Sequence, residues 1–139
     1  MDAQLMANWV QAARLAFSEN DRYDIGDELI GQSLARSPVG DDGAWPSEPV
    51  RELLETIGSR YIERGLILGR FNGRGVTWRG IYEGGRQERD LANQYRQWSQ
   101  QIPPSSSRAA RVLRELADSY DRDARREDIE ADVSADGRF

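Results

Sequence analysis

Apolar residues recur at helical spacing along most of this chain, and the pattern predicts an all-α fold of about five helices. The first helix is predicted over residues 3–17 and the second over residues 24–35. The residues expected to face inward are Leu5, Trp9, Ala13, Ala16 and Phe17 in the first helix, and Leu29, Ile30 and Leu34 in the second. Residues 37–46 (SPVGDDGAWP) are predicted to form a loop, in which Trp45 covers the edge of the core.

A stronger helix is predicted to begin at Ser47, with Pro49 in its first turn. Its apolar stripe consists of Val50, Leu53, Leu54, Ile57 and Tyr61, and Leu68 would continue it. Gly65 and Gly69 leave two interpretations open. On a helix, these two glycines would form one smooth patch that another backbone could approach. Alternatively, the helix frays near Arg64, because glycine is unfavourable inside helices.

Two C-terminal helices are predicted most clearly, over residues 86–101 and 108–129. Their apolar stripes are Leu91, Tyr95, Trp98 and Ile102 in the first, and Ala109, Val112, Leu113, Leu116, Tyr120 and Ala124 in the second. The short proline-containing link between them predicts an antiparallel helical hairpin. We therefore expect a single helical domain over residues 1–128, followed by an acidic, flexible tail over residues 129–139.

Residues 65–85 hold seven of the thirteen glycines and predict a Gly/Arg-rich loop. Residues 64–89 contain six arginines and two glutamates, a positive region in a chain of net charge −5. Since arginine and aromatic side chains often dominate binding, we predict a docking surface for an acidic partner. Its residues are Arg70, Phe71, Arg74, Trp78, Arg79 and Tyr82. The same mixture could instead stack bases and grip phosphates, or pack arginines on rings inside an ordered loop.

A second candidate site precedes the helix at residues 86–101. Consecutive glycines before a helix can turn backbone N–H groups toward an anion, which predicts an anion-binding position at Gly84, Gly85 and Arg86. The competing interpretation is a tight turn in which Glu83 satisfies the helix N-terminus. The turn is favoured, because the chain contains no nucleotide-binding glycine motif.

The composition excludes most common enzyme designs. The chain has no cysteine, histidine or lysine, and therefore no thiolate nucleophile, imidazole base or Schiff-base amine. The last helix is rich in carboxylates, but they alternate with arginines at i,i+4 spacing. That pattern is typical of a solvated, ion-paired face rather than of a Mg²⁺ or Ca²⁺ site. We therefore expect a non-enzymatic protein without a metal or cofactor. The alternative is an enzyme that uses carboxylates and arginine, for example with Glu83 as the base and Arg79 stabilising charge.

The balance of apolar and charged residues bears on partners and on location. Leu, Ile, Val and Phe make up about a fifth of the chain, near the lower limit for folded domains. A thin core favours sharing an apolar face with another chain. No run of eighteen apolar residues and no signal-like N-terminus is present, which predicts a cytoplasmic protein that is not in a membrane.

Residues 69–128 contain three distinctive elements: NGRGVT from Asn72, EGGRQERDLA from Glu83 and ADSYDRDARRED from Ala117. In these elements the segment resembles a recurring C-terminal block of uncharacterised actinobacterial proteins. The resemblance implies a bacterial, cytosolic origin and a loop and hairpin that form one unit. It brings no assigned activity, and no functional residue is transferred from it.

Together, these patterns predict a protein-interaction module, a small subunit or regulator of a larger bacterial assembly that docks through the Gly/Arg/aromatic loop. The expected partner is a protein with an acidic surface, or a second copy of the chain. The alternative is a nucleic-acid or nucleotide-phosphate binding protein that uses the same loop. A steep loss of affinity with salt would distinguish phosphate binding.

Overall fold

A computed structural model describes residues 3–18, 23–73 and 85–136. Within these ranges the chain forms six helices and no strand, which confirms the all-α prediction there. The helices are α1 (Ala3–Ser18), α2 (Tyr23–Leu34), α3 (Glu48–Ile57), α4 (Arg60–Asn72), α5 (Arg86–Gln101) and α6 (Ser107–Asp136). None of the described helices combines the length and the apolar character that crossing a membrane requires.

The sixth helix arises because Gly58 divides the long helix predicted from residue 47 onward. Gly58 has φ 65°, in the left-handed region that glycine adopts without strain, and its N–H donates to the Leu54 carbonyl. The next residue, Ser59, caps α4, and its side-chain oxygen accepts from the Ile62 N–H at 3.3 Å. The end of one helix and the start of the next therefore fall on neighbouring residues. The expectation of about five helices was one helix short.

The contact between α2 and α4 depends on glycine. A Cβ added to Gly65 would lie 2.0 Å from the Glu28 carbonyl oxygen, and one added to Gly31 would lie 2.0 Å from the Ile62 carbonyl oxygen. The two backbones can approach this closely because no side chain separates them. The predicted smooth glycine patch is confirmed, and the predicted fraying near Arg64 is wrong. Residues 65–72, expected to begin the Gly/Arg-rich loop, belong to α4.

Trp45 is a central residue of the core and does not merely cover its edge. Its side chain is fully buried, its ring meets Tyr95 edge-on at 6.2 Å between centroids, and its Nε1–H donates to the Ser37 carbonyl at 3.0 Å. Tyr95 in turn stacks on Tyr120 of α6, with 5.6 Å between centroids. The predicted stripe of α6 is buried throughout: Ala109, Val112, Leu113, Leu116, Tyr120 and Ala124.

The N-terminal helices bury different faces from those predicted. In α1, Met6 and Val10 enter the core, whereas Leu5 is 58% exposed. The apolar arc of α1 is wider than its contact with the rest of the protein, so periodicity alone could not select the buried side. In α2, Ile30 and Leu34 are buried as predicted. The residues expected inside but found exposed are Leu5, Trp9, Ala16, Leu29, Tyr61 and Leu68.

Ion pairs connect α5 and α6 along their contact. Arg89 pairs with Asp128, and Arg96, further along α5, pairs with Asp121 and Asp118, which lie earlier in α6. The two helices therefore run in opposite directions where they meet. Asp118 and Asp121 thus pair with Arg96 of α5, rather than with Arg122 and Arg125, their i,i+4 neighbours on α6. Helix α6 also continues to residue 136, beyond its predicted end near residue 129.

Candidate functional site

Two of the six predicted docking residues lie in the described part of the chain, and both face the interior. The guanidinium carbon of Arg70 lies 4.5 Å from the centre of the Trp45 ring, and its Nε–H donates to the Tyr95 hydroxyl at 2.8 Å. Phe71 stacks on Tyr120 with 4.9 Å between centroids. An arginine over an indole is held by cation–π attraction. Arg70 and Phe71 thus pack against the aromatic core while remaining partly exposed, and their docking role stays a prediction.

The other four predicted docking residues, Arg74, Trp78, Arg79 and Tyr82, lie outside the described residues. The predicted Gly/Arg-rich loop is therefore described only where it is helical, in α4, and at Gly85.

The predicted anion-binding position is occupied by a carboxylate of the chain itself. The Gly85 N–H donates to Asp128 Oδ1 at 2.8 Å, and Arg89 binds the other oxygen of the same carboxylate. A Cβ on Gly85 would lie 2.3 Å from Ala124 Cα, so this glycine serves the close approach of α6. The prediction is therefore corrected for Gly85. Arg86 is exposed, and both Gly84 and Glu83 lie outside the described residues.

A cleft of about 820 Å³ lies where α1, α2, α4 and α6 meet, and we call it the arginine cleft. Four arginines line it, together with an apolar floor and three acids. The arginines are Arg14, Arg60, Arg64 and Arg111; the floor includes Ile57, Tyr61, Ile67, Leu68 and Val112; the acids are Asp27, Glu63 and Glu115.

Asp27, one of the acids of the arginine cleft, is engaged by the chain itself. Its side chain is almost fully buried and accepts from Arg14 Nε at 3.0 Å and Arg14 Nη2 at 3.2 Å. It also accepts from the Ser59 hydroxyl at 2.7 Å. A buried carboxylate requires such partners, because desolvating an unpaired charge is costly. Asp27 therefore supports the wall of the cleft, and its carboxylate has little hydrogen-bonding capacity left for a ligand.

Glu63 is the second buried acid, and two arginines of α6 share it. Arg108 Nη1 donates to one oxygen at 2.7 Å, and Arg111 Nη2 donates to the other at 2.6 Å. The hydrogen bond to Glu63 raises the pKa of Arg111 above its usual value, so this guanidinium stays charged. Glu63 is not the only acid there, because Glu115 and Glu55 also interact electrostatically with Arg111 and the Arg108 backbone N–H donates to Glu55.

Arg60 and Arg64 supply the remaining positive charge. Both are exposed, and neither has a hydrogen bond or ion pair to another described residue. They lie four residues apart on α4 and therefore project from the same face of the helix. Arg60 lies in the first turn of α4, where the positive end of the helix dipole adds to the local positive potential. The cleft consequently combines unpaired guanidinium groups with an apolar floor.

Sequence reasoning missed the arginine cleft because it counted Arg64 in the positive region over residues 64–89 and assigned no role to Arg60. The sequence signal that could have revealed the cleft was Gly58, followed by a serine and two arginines at i,i+4 spacing. That arrangement places both arginines near the start of a helix, beside Gly58, which also lines the cleft.

A second unusual surface lies on α1, which carries a single charged residue, Arg14, already bound to Asp27. Leu5, Trp9, Ala12 and Ala16 lie within an arc of about 60° around the helix axis, and all four are exposed. We call these four residues the outer face of α1. In a chain with 31% charged residues, a surface helix without a free charge is exceptional.

Comparison with known proteins supplies no further assignment. The chain matches no protein-family model, no curated protein and no solved structure. The resemblance of residues 69–128 to an actinobacterial block therefore remains a prediction. Within the described ranges, no three or more side chains of the metal-ligating types come together as a cation site.

Proposed function

We propose that this protein is a non-enzymatic docking module that binds an acidic segment of a protein partner in the arginine cleft. The observation that supports the proposal is that four arginines and three acids line the cleft, a surplus of one positive charge in a chain whose net charge is −5. Asp27 and Glu63 are already engaged, whereas Arg60 and Arg64 remain exposed. A binding partner with carboxylates would supply the missing negative charge.

The lining of the cleft favours a peptide segment over a small anion. Arginine forks bind carboxylates with two parallel hydrogen bonds, and Arg60 and Arg64 present two such forks on successive turns. Apolar side chains that include Ile57, Leu68 and Val112 line the same cleft. A segment with acidic residues at its margin and one or two apolar side chains would satisfy both parts of the surface.

In this proposal the module is a small subunit or regulator of a cytoplasmic bacterial assembly. Helices α5 and α6 act as a C-terminal hairpin, and α6 contributes Arg111 to the cleft wall. The docking site thus moves from the predicted loop at residues 65–85 to the start of α4. The chemistry expected of the partner, an acidic protein surface, is unchanged.

The direct test is a charge reversal in the arginine cleft, the double variant Arg60→Glu, Arg64→Glu. The probe is a labelled helical peptide of alternating Glu-Glu and Leu-Leu pairs, and the readout is fluorescence anisotropy. We expect the variant to bind at least about tenfold more weakly, equivalent to about 1.4 kcal/mol. The matched control is Arg114→Glu, since Arg114 is exposed on α6 away from the cleft lining. Equal losses in both variants, or no binding by the native protein, would contradict the proposal.

A competition experiment separates the alternative function. A single-stranded oligonucleotide is added to the complex of protein and peptide at increasing salt. We expect the oligonucleotide not to displace the peptide, because few phosphates can reach the cleft arginines at once. Displacement at low salt that disappears steeply as salt rises would instead identify a nucleic-acid binding protein.

A further inference from the structure

We propose that the outer face of α1 is covered by the same face of a second copy of this chain, in an antiparallel homodimer. This inference rests on α1 alone and is independent of the function proposed for the arginine cleft. Leu5 is 58% exposed and Trp9 is 41% exposed. Apolar side chains of this size on one helix face are a typical contact surface between subunits.

The spacing of large and small residues identifies the second copy as the occupant. Leu5 and Trp9 occupy the first half of the face, four residues apart, and Ala12 and Ala16 occupy the second half, also four residues apart. When an identical helix is placed antiparallel, Leu5 lies opposite Ala16 and Trp9 lies opposite Ala12. Each large side chain then meets a small one, which is the packing that helix interfaces require. A parallel arrangement would place the two Trp9 rings against each other.

The absence of charge from the outer face of α1 also permits contact with an identical surface. At a two-fold axis a residue meets its own copy or a near neighbour, so any charge there faces a like charge. The outer face of α1 has none. The amide side chains Gln4, Asn8 and Gln11 lie on the flank of α1 that also carries Leu15, outside the proposed contact.

The experiment is sedimentation velocity of the full chain and of two variants that place a glutamate on α1. Ala12→Glu sets two like charges close together at the proposed axis, and we expect a dimer dissociation constant at least tenfold larger. Leu15→Glu is the matched control. Leu15 is 64% exposed but lies about a quarter turn around the helix from the outer face. The native chain and Leu15→Glu should both sediment at twice the 15.8 kDa of one chain, with unchanged helix content by circular dichroism.

A mixing experiment completes the test. Ala12→Glu and Ala12→Arg should each be monomeric alone and should form a heterodimer when combined, because the two charges then attract. Higher salt should strengthen the native dimer, since two chains of net charge −5 repel each other. A native chain that stays monomeric up to about 100 µM, a range that still reveals weak association, would overturn the proposal. So would equal dimerisation of Ala12→Glu and Leu15→Glu.

Discussion

Helices α1 and α4 both pack against α2, but they make contacts of opposite kinds. Between α4 and α2 the backbones themselves touch, through Gly31 and Gly65. Between α1 and α2 the contact is made by side chains: Arg14 binds Asp27, and Phe17 lies on Gly26. The α2–α4 contact leaves no space for an added side-chain atom at either glycine. The α1–α2 contact leaves one side of α1 in solvent.

The difference between these two contacts shows which helix surfaces are buried within one chain and which remain exposed. The side of α2 that faces α4 is sealed, and α4 in turn packs on α6 and its buried stripe. Helix α1 buries Met6 and Val10 but leaves its outer face and Leu15 exposed. We infer that the stability of one chain resides mainly in the contacts of α2 with α4 and of α5 with α6, and that α1 is available for association.

The largest expected loss of stability is that of Gly65→Ala, which disrupts the sealed contact between α2 and α4. The added methyl would lie 2.0 Å from the Glu28 carbonyl oxygen, and backbone atoms on both sides prevent relaxation. We expect a loss of about 3 kcal/mol or more in the free energy of unfolding, which exceeds the gain in helix propensity of about 1 kcal/mol. Urea unfolding followed by circular dichroism measures the change.

The matched control is Ser33→Ala, on the exposed side of α2, the helix that packs against Gly65 of α4. This substitution should change the free energy of unfolding by no more than about 0.5 kcal/mol, as is usual for surface positions. If Gly65→Ala unfolds at the same urea concentration as the control, the α2–α4 contact is not sealed as described.

The comparison also explains which features could be predicted from the sequence. The stripe of α6 was correct because its apolar residues form one narrow arc, and the whole arc is buried. In α1 the arc is wider than the contact, so Leu5 and Trp9 were assigned to the wrong side. A sequence pattern identifies the apolar arc of a helix but not which part of that arc packs against a neighbouring helix.

The inward position of Arg70 could not be predicted for a related reason. Within its own segment Arg70 has the neighbours of a surface arginine, with glycines on either side along the chain. Its actual partners, the Trp45 ring and the Tyr95 hydroxyl, come from distant segments. The arginine cleft could not be predicted for the same reason, because its arginines on α1, α4 and α6 come together only in the folded chain.

A smaller effect is expected at Asp42, which holds the segment between α2 and α3 in place beside α1. The hydrogen bonds from buried Arg51, at 2.8 and 2.9 Å, lower the pKa of Asp42 from 3.8 to about 2. Because the pKa is lower in the folded state, the ionised carboxylate stabilises the protein above pH 3.8. That contribution is lost as the pH falls through about 2.

Asp42→Asn should therefore lower the free energy of unfolding at pH 7 by about 1 kcal/mol, a modest value because Asp42 is partly exposed. The difference from the native chain should shrink between pH 4 and pH 2, where the native carboxylate becomes protonated. Urea unfolding over this pH range measures it, with Asp41→Asn at the exposed neighbouring position as the control. A difference that stays constant down to pH 2 would show that Arg51 does not stabilise the ionised form.

The most direct test of the contrast between the sealed α2–α4 contact and the exposed outer face of α1 is amide hydrogen exchange at two protein concentrations. One concentration lies well below the dimer dissociation constant and the other well above it. At the higher concentration, exchange in α1 should slow by a larger factor than exchange in α4, because α4 is already sealed within one chain. If α1 exchanges at the same rate at both concentrations, its outer face is not covered by a second copy, and the account is contradicted.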